Sequence, residues 1–437
     1  MQGDRLVLSQ RPTQAVILAG GRGTRLKPLT DTRPKPMVEI LGKPFLGYQI
    51  EQLRDQGFKK ILLLLGYLPE VVQAYCGDGR RWGIKIEYSI SAAEDETARR
   101  LKLAKPWLDR VFLLLYCDNY WPMRMEKMWS RFVAAGAPAM ITVYTNKDSY
   151  TRNSVRMDSD GYVEVYDKTC QTPGLQGVEI SYALIDKSVL ELLPETNVSV
   201  EEALYSRLAR DRQLTAYVTD HRYYSVGALH RLPLTQAFFA RHPTVILDRD
   251  GVLNRKPPRA RYVRNWSEFE WLAGAKEALR LLHQNGYRVI VVSNQAGIGR
   301  GVMTETDLND IHERMKREAE DSGGRIDAIY YCGHDWDEGC ECRKPKPGML
   351  FRAQRDLNFD LSRALFIGDD ERDGEAADAA GCPSILISDG LSLLDVTHRL
   401  LTTNQTFLKF CHERRSDKTV SRAKSAKDAK VDFDKKS

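Results

Sequence analysis

Two stretches of the sequence hold residues whose types and spacing could do chemistry. The sharper one follows the apolar run TVIL and reads Asp248-Arg249-Asp250-Gly251-Val252-Leu253-Asn254. Two carboxylates two residues apart at the end of a strand can both face one crevice of an open α/β sheet. Gly251 permits the sharp turn that must follow. Carboxylate oxygens suit Mg²⁺, which keeps waters and bridges phosphate oxygens. Further candidates come in order, each at an expected strand end or in the next loop. Ser293 closes RVIVVS, and its hydroxyl can donate to a phosphoryl oxygen. Lys344, in CRKPKPG, can neutralise developing charge. Asp369 and Asp370 end ALFIG and can complete the metal site, with Asp373 one turn further on. A lone Asp-x-Asp is equally compatible with a capped turn, but four signals at successive strand ends predict phosphoryl transfer.

A second motif sits between these signals. Cys332-Gly333-His334 and Cys340-Glu341-Cys342 are separated by five residues. Three thiolates and one imidazole make a closed tetrahedral Zn²⁺ site with no open position, hence a structural one. The alternative is an incidental thiol cluster. The loop runs straight into Arg343 and Lys344, so the metal would also position the lysine.

The first half opens with Leu18-Ala19-Gly20-Gly21-Arg22-Gly23-Thr24-Arg25-Leu26. This is not the dinucleotide fingerprint, because the third glycine would fall at Leu26. It is not a Walker loop, because no Gly-Lys-Ser/Thr follows. Its glycines can still bring backbone N–H groups close to phosphates, and Arg22, Arg25 and Lys35 add charge for a triphosphate.

These residues need strands that end beneath them, and the chain supplies two series. QAVILAG, KKILLLLGY, IKIEYSI and VFLLLYCD form the first, with a helix near Leu46 to Gln56. PTVILDRDG, YRVIVVSN, AIYYC, ALFIGD and SILIS form the second. Its helices are expected at Gly274 to Gln284, Glu305 to Asp321 and Pro347 to Leu357. Near-continuous apolar strands separated by helices predict an α/β fold in two domains, each a mostly parallel sheet covered on both faces. We divide the chain into residues 1–240, 241–400 and a basic tail, 412–437.

With its motifs in place, the second half resembles the haloacid-dehalogenase-like phosphatases over roughly residues 243–388. The resemblance implies a Rossmann-like fold, attack by Asp248 to give an aspartyl-phosphate, and acid–base work by Asp250. It implies Mg²⁺ at Asp248, Asp250 and Asp369; Asp370, placed at the metal by its position alone, is either a ligand or an outer-shell group. No large insertion follows either of the first two motifs, so no bulky cap is expected. The zinc loop, the segment DGVLNRKPPRARYVRNWSEFEWLAGAKEAL and the CRKPKPGM run narrow the likeness. They point to the branch holding histidinol-phosphate phosphatases and D-glycero-D-manno-heptose 1,7-bisphosphate 7-phosphatases. That likeness implies substrate contacts from Asn294, Arg343 and Lys344. Gly368-Asp369-Asp370 stands where the family has Gly-Asp-Lys.

LAGGRGTRLKPLT…RPKPMVEILGKPFL resembles the sugar-phosphate nucleotidyltransferases, loosely to about residue 235. The resemblance implies nucleotide binding by Gly20, Gly21 and Gly23, and phosphate binding by Arg25 and Lys35, with Arg25 also catalytic. It further implies Mg²⁺ at Asp118 and sugar-phosphate contact by Lys168. The reaction implied is attack of a sugar 1-phosphate on an NTP, with GTP the favoured donor. This chain departs from the family at Cys117-Asp118 (usually Gly-Asp) and at Glu94-Asp95-Glu96-Thr97-Ala98 (usually a Leu-Gly-Thr segment). It departs again at Ser225-Val226-Gly227, where the second metal carboxylate usually stands. Two readings of this half follow: an active transferase, or a binding module. With a transferase the halves fit chemically, since a 7-phosphatase releases the heptose 1-phosphate that a transferase consumes.

Composition excludes other classes. The 437 residues carry a net charge of +6, and residues 412–437 hold nine Lys/Arg against five Asp/Glu. The remainder is close to neutral, without the basic face that nucleic-acid binding needs. The tail reads as disordered. No apolar run approaches the roughly 20 residues of a membrane span, and the first residues lack an apolar signal core. A cytoplasmic protein is expected, with most of its eight cysteines as thiols. Its expected partners are small-molecule sugar phosphates and an NTP, without nucleic acid or membrane. No interface signature sets an oligomeric state.

Overall fold

A computed structural model describes residues 10–240, 242–388 and 390–402. The basic tail lies outside the described residues. The chain divides into two compact units, Met1–Ala240 and Arg241–Ser437.

The first unit is built on a seven-stranded sheet. Its order is Leu214–Thr219, Ala139–Tyr144, Val178–Asp186, Val111–Tyr116, Gln14–Ala19, Lys60–Leu65 and Lys85–Ile90. All neighbours pair in parallel except Val178–Asp186, which runs antiparallel to both of its partners. Strand alternation splits the core. Ala15, Ile17, Leu63 and Leu65 pack with Leu46, Ile50 and Leu53 of the helix Phe45–Asp55. Val16, Leu18, Leu62 and Leu64 pack with Ala98, Leu101 and Ala104 of the helix Thr97–Ala104. Strands buried on both faces explain the unbroken apolar runs.

The second unit repeats this logic with five parallel strands. Their order is Ala328–Cys332, Arg288–Asn294, Thr244–Leu247, Leu365–Gly368 and Ser384–Leu386. Val245, Leu247, Val289 and Val291 face the helices Ala275–Gln284 and Glu305–Asp321. Ile246, Ile290, Val292 and Phe366 face Gly348–Leu357 and Glu371–Ala380. The stretch from Asp248 to Gly274 carries only a single helical turn, Trp266–Glu268, so loops cover the strand ends. Among the described residues no helix is long and apolar enough to cross a membrane.

The central strand Thr244–Leu247 is closed on both sides, so shortening its side chains leaves a void that cannot collapse. Ile246→Ala is expected to lower unfolding stability by about 2–5 kcal/mol, read by denaturant titration of the second unit's transition.

Candidate active sites

In the second unit the three central strands all end at one crevice. Asp248, Asp250, Ser293, Asn294, Arg343 and Lys344 line a single cavity there of about 880 Å³. Lys344 is 3% exposed. Its ammonium lies 2.9 Å from Asp248 Oδ1 and 2.7 Å from Asp373 Oδ1, and donates to the Val292 carbonyl at 3.0 Å. Asn294 fixes the lysine's backbone: its amide donates to the Lys344 carbonyl, and its Oδ1 accepts from the Lys344 N–H, both at 3.1 Å. Burial pushes the Asp248 carboxyl up to about 7, against the opposing pull of Lys344. A nucleophilic carboxylate must be ionised, so the site calls for more positive charge.

Asp248, Asp369 and Asp373 supply it with a seat. One oxygen from each lies within 4.8 Å of the others. Asp369 Oδ1 is buried without a hydrogen-bond partner. A hard divalent cation fits such an all-oxygen donor set.

The grouping leaves out two carboxylates assigned to the metal from sequence. The Asp370 carboxylate is outside the cluster. It caps the helix Glu371–Ala380, accepting from the Arg372 N–H, and pairs with the Arg372 guanidinium at 2.9 Å. Asp373, at the N3 position of the same capping box, takes the inward place. The Asp250 carboxylate is also outside. Burial raises its pKa, but the Arg249 charge and hydrogen bonds from Asn254, Gln295 and Arg249 outweigh that and hold it below the usual range. Arg249 is fully buried and lies 2.9 Å from Asp250 Oδ2. Gln295 donates to Asp250 Oδ2 at 2.8 Å and to Ser293 Oγ at 2.7 Å. Arg249 and Gln295 were missed from sequence. The signal available was their position, each directly beside a motif residue at a strand end.

The cysteine–histidine loop brings Cys332, His334, Cys340 and Cys342 together. The Sγ···Sγ separations are 3.6, 3.3 and 3.5 Å. His334 Nδ1 lies 3.5 Å from Cys332 Sγ and 3.2 Å from Cys342 Sγ. Ligand distances typical of a tetrahedral zinc centre give edges of roughly 3.8 Å for S···S and 3.5 Å for S···N. The four atoms already outline that tetrahedron.

The first unit holds a looser site. Gly23 adopts φ +65° and starts a turn at Thr24–Leu26, and Thr30 Oγ1 donates to its carbonyl at 2.9 Å. Arg25 is exposed. Arg22 pairs with Glu94 at 2.5 Å, so the segment replacing Leu-Gly-Thr reaches back to the Gly-rich loop. Lys35 pairs with Asp118. Lys168 stands 3.6 Å from Glu201, whose second oxygen is buried and unpartnered, as is the Tyr116 hydroxyl. Sequence reading also passed over Arg100, which is 3% exposed. Its guanidinium donates to the carbonyls of Gly20, Leu65, Ala92 and Ala93 and to Ser91 Oγ. A Cβ at Gly20 or Gly66 would meet it at 2.2 or 2.4 Å.

Comparison with known proteins follows the same division. Residues 14–165 match the nucleotidyl transferase family and residues 341–404 the HAD-hydrolase-like family. Over 146 residues the chain is 40% identical to D-glycero-β-D-manno-heptose-1,7-bisphosphate 7-phosphatase of Bordetella bronchiseptica, covering 33% of this chain and 80% of that protein. It is 37% identical over 168 residues to the protein of the same name in Vibrio cholerae, covering 37% of this chain and 89% of that one. The chain belongs to this phosphatase family. Among solved structures, D,D-heptose 1,7-bisphosphate phosphatase from B. bronchiseptica, complexed with magnesium and phosphate, overlaps 36% of this chain and 98% of that one. The identity is 35% and the TM-score 0.34. HddC from Yersinia pseudotuberculosis overlaps 51% and 97%, at 24% identity and TM-score 0.45.

Two outcomes follow for the phosphatase unit. Gly251 sits at φ +97°, and a Cβ there would lie 2.2 Å from Asp369 Oδ2. Gly251→Ala is expected to displace that carboxylate and slow phosphate release on the order of a hundredfold, measured with a phosphate-sensing assay. Asp370→Ala is expected to cost about 1 kcal/mol by loss of a helix cap while Mg²⁺ affinity stays unchanged. Asp369→Ala should abolish Mg²⁺ binding; calorimetric titration separates the two.

Proposed function

We propose that the chain is a bifunctional, cytoplasmic enzyme of nucleotide-activated heptose synthesis. Its C-terminal unit removes the C7 phosphate of D-glycero-D-manno-heptose 1,7-bisphosphate. Its N-terminal unit transfers a nucleotidyl group, GMP from GTP, to the resulting heptose 1-phosphate. The observation that carries the first half is Lys344 held between Asp248 and Asp373, at the strand ends of a phosphatase-family fold.

Asp248 attacks phosphorus, forming an acyl phosphate as the sugar hydroxyl leaves. Asp250, ionised beside Arg249 in the free site, takes up a proton with the substrate, passes it to the leaving oxygen, and then takes another from the water that hydrolyses the intermediate. Asp248, Asp369 and Asp373 would hold Mg²⁺, whose charge would offset repulsion between carboxylate and phosphate. Lys344 holds the nucleophile's orientation, and Ser293 donates to the phosphoryl oxygens. Lys256, Arg259, Arg261, Arg343 and Lys346 stand around the cavity and suit a substrate with two phosphates.

Zn²⁺ is the metal proposed for Cys332, His334, Cys340 and Cys342, with a structural role. Cys340→Ser is expected to lose zinc and lower the unit's melting temperature, because structural zinc binding contributes directly to folding. Unchanged zinc content and melting would remove this assignment.

For the N-terminal unit, the buried unpartnered oxygen of Glu201, beside Lys168, and the buried unpartnered hydroxyl of Tyr116, near Glu201, suit a hydroxyl-rich sugar phosphate. A second reading, binding without turnover, is favoured by Ser225 in the usual carboxylate position. One assay decides between them. Purified protein with Mg²⁺ receives heptose 1,7-bisphosphate alone, or heptose 1-phosphate with each of GTP, ATP, CTP and UTP. Phosphate from the first and pyrophosphate with GTP are the expected products. Phosphate without pyrophosphate from any nucleotide would leave a phosphatase carrying a silent N-terminal unit.

A further inference from the structure

We infer that the cation resident at Asp118 is the Lys35 ammonium, and that the N-terminal unit takes up a divalent metal only together with a nucleotide's own phosphates. The second clause rests on the nucleotidyl-transfer reading above; the first rests on local geometry alone.

The two short strands Asn119–Tyr120 and Tyr224–Ser225 pair antiparallel, with Ser225 opposite Asn119. The Val226 N–H then donates to the Asp118 carbonyl at 2.9 Å. This pairing brings Ser225 beside Asp118, where the resemblance implies a second metal-binding carboxylate. Stacking anchors the strand, since Tyr224 lies 3.8 Å from Phe238, ring to ring. Three side chains converge on Gly227. A Cβ there would be 3.0 Å from Ser225 Oγ, 3.3 Å from Asp118 Oδ2 and 3.9 Å from Lys35 Nζ. The donor set at that point is one carboxylate, one ammonium and one hydroxyl.

That set does not fit a resident Mg²⁺. Magnesium is held by one or two carboxylates supplemented by substrate phosphates and water. Here the single carboxylate is already neutralised by Lys35, and the two side chains are 18% and 14% exposed. A divalent ion at the same oxygen would meet the ammonium's repulsion in a partly desolvated site. Ser225 Oγ is engaged, accepting from the Gly227 N–H at 2.9 Å. Of the other acids of this cleft, Glu179 accepts from the Ser181 N–H at 2.5 Å, and Glu201 faces Lys168 with one oxygen and keeps the other unpartnered. Among the described residues, neither of the two groups able to hold a metal includes Asp118. A nucleotide triphosphate supplies the oxygens that the protein lacks.

The test counts Mn²⁺ bound to the full-length, zinc-loaded chain by electron paramagnetic resonance of the free ion. Without nucleotide, wild type and Asp118→Asn are expected to bind the same number per chain. One fewer in Asp118→Asn would overturn the inference. Ser225→Asp should bind one more than wild type; no gain in a variant with unchanged melting would overturn Ser225 as the missing donor. Adding GTP to wild type should raise bound Mn²⁺ by one beyond what the same GTP binds without protein; no such rise while GTP binds would overturn the second clause. If equilibrium dialysis finds that GTP itself does not bind, the nucleotide reading fails, and the Lys35 assignment is judged on the Asp118→Asn count.

Discussion

The phosphatase unit depends on one buried ammonium. Lys344 is enclosed, and an enclosed charge is tolerated only when its neighbours repay several kcal/mol of lost hydration. Asp248 does so from the end of one strand, Asp373 from the first turn of the helix that follows another, and Val292 adds a carbonyl from within a third. The three central strands must therefore end in register, or the lysine is left with an unmatched charge. The cysteine–histidine loop immediately before it and Asn294 across from it restrain the backbone that delivers the side chain.

The two units use one architecture to opposite electrostatic ends. The phosphatase unit gathers carboxylates until a divalent ion fits. The N-terminal unit has the same strand-end crevice but balances its single inward aspartate with an internal lysine. Its Gly-rich loop is braced from below by Arg100, whose two terminal nitrogens make five hydrogen bonds, four to backbone carbonyls and one to a hydroxyl. A guanidinium so placed satisfies three chain segments at once and leaves room for nothing larger than glycine at positions 20 and 66.

Much of this was legible in the sequence where chemistry and strand ends coincide. The apolar runs before Asp248, Ser293 and Asp369 announced both the sheet and the side its ligands would occupy. The cysteine–histidine cluster was legible because its ligand types stand at metal-binding spacing. Choosing between Asp370 and Asp373 was not, because both follow the same strand; helix capping decides, turning the first toward Arg372 and the second inward. Arg249 was hidden for a different reason: an arginine next to two aspartates reads as solvated, yet a buried fork to Asp250 places it in the core. The antiparallel strand Val178–Asp186 interrupts an otherwise regular alternation, and no local pattern marks its direction.

Asp373 divides its two oxygens between different tasks. Oδ2 accepts from the N–H groups of Asp369 and Asp370 and closes the capping box, while Oδ1 faces Lys344. The start of the helix Glu371–Ala380 and the charge balance of the crevice are thus one cooperative element. Fraying of that first turn would strand a buried ammonium, so this helix terminus, ordinarily among the first parts of a fold to open, is held shut by the charge balance of the crevice.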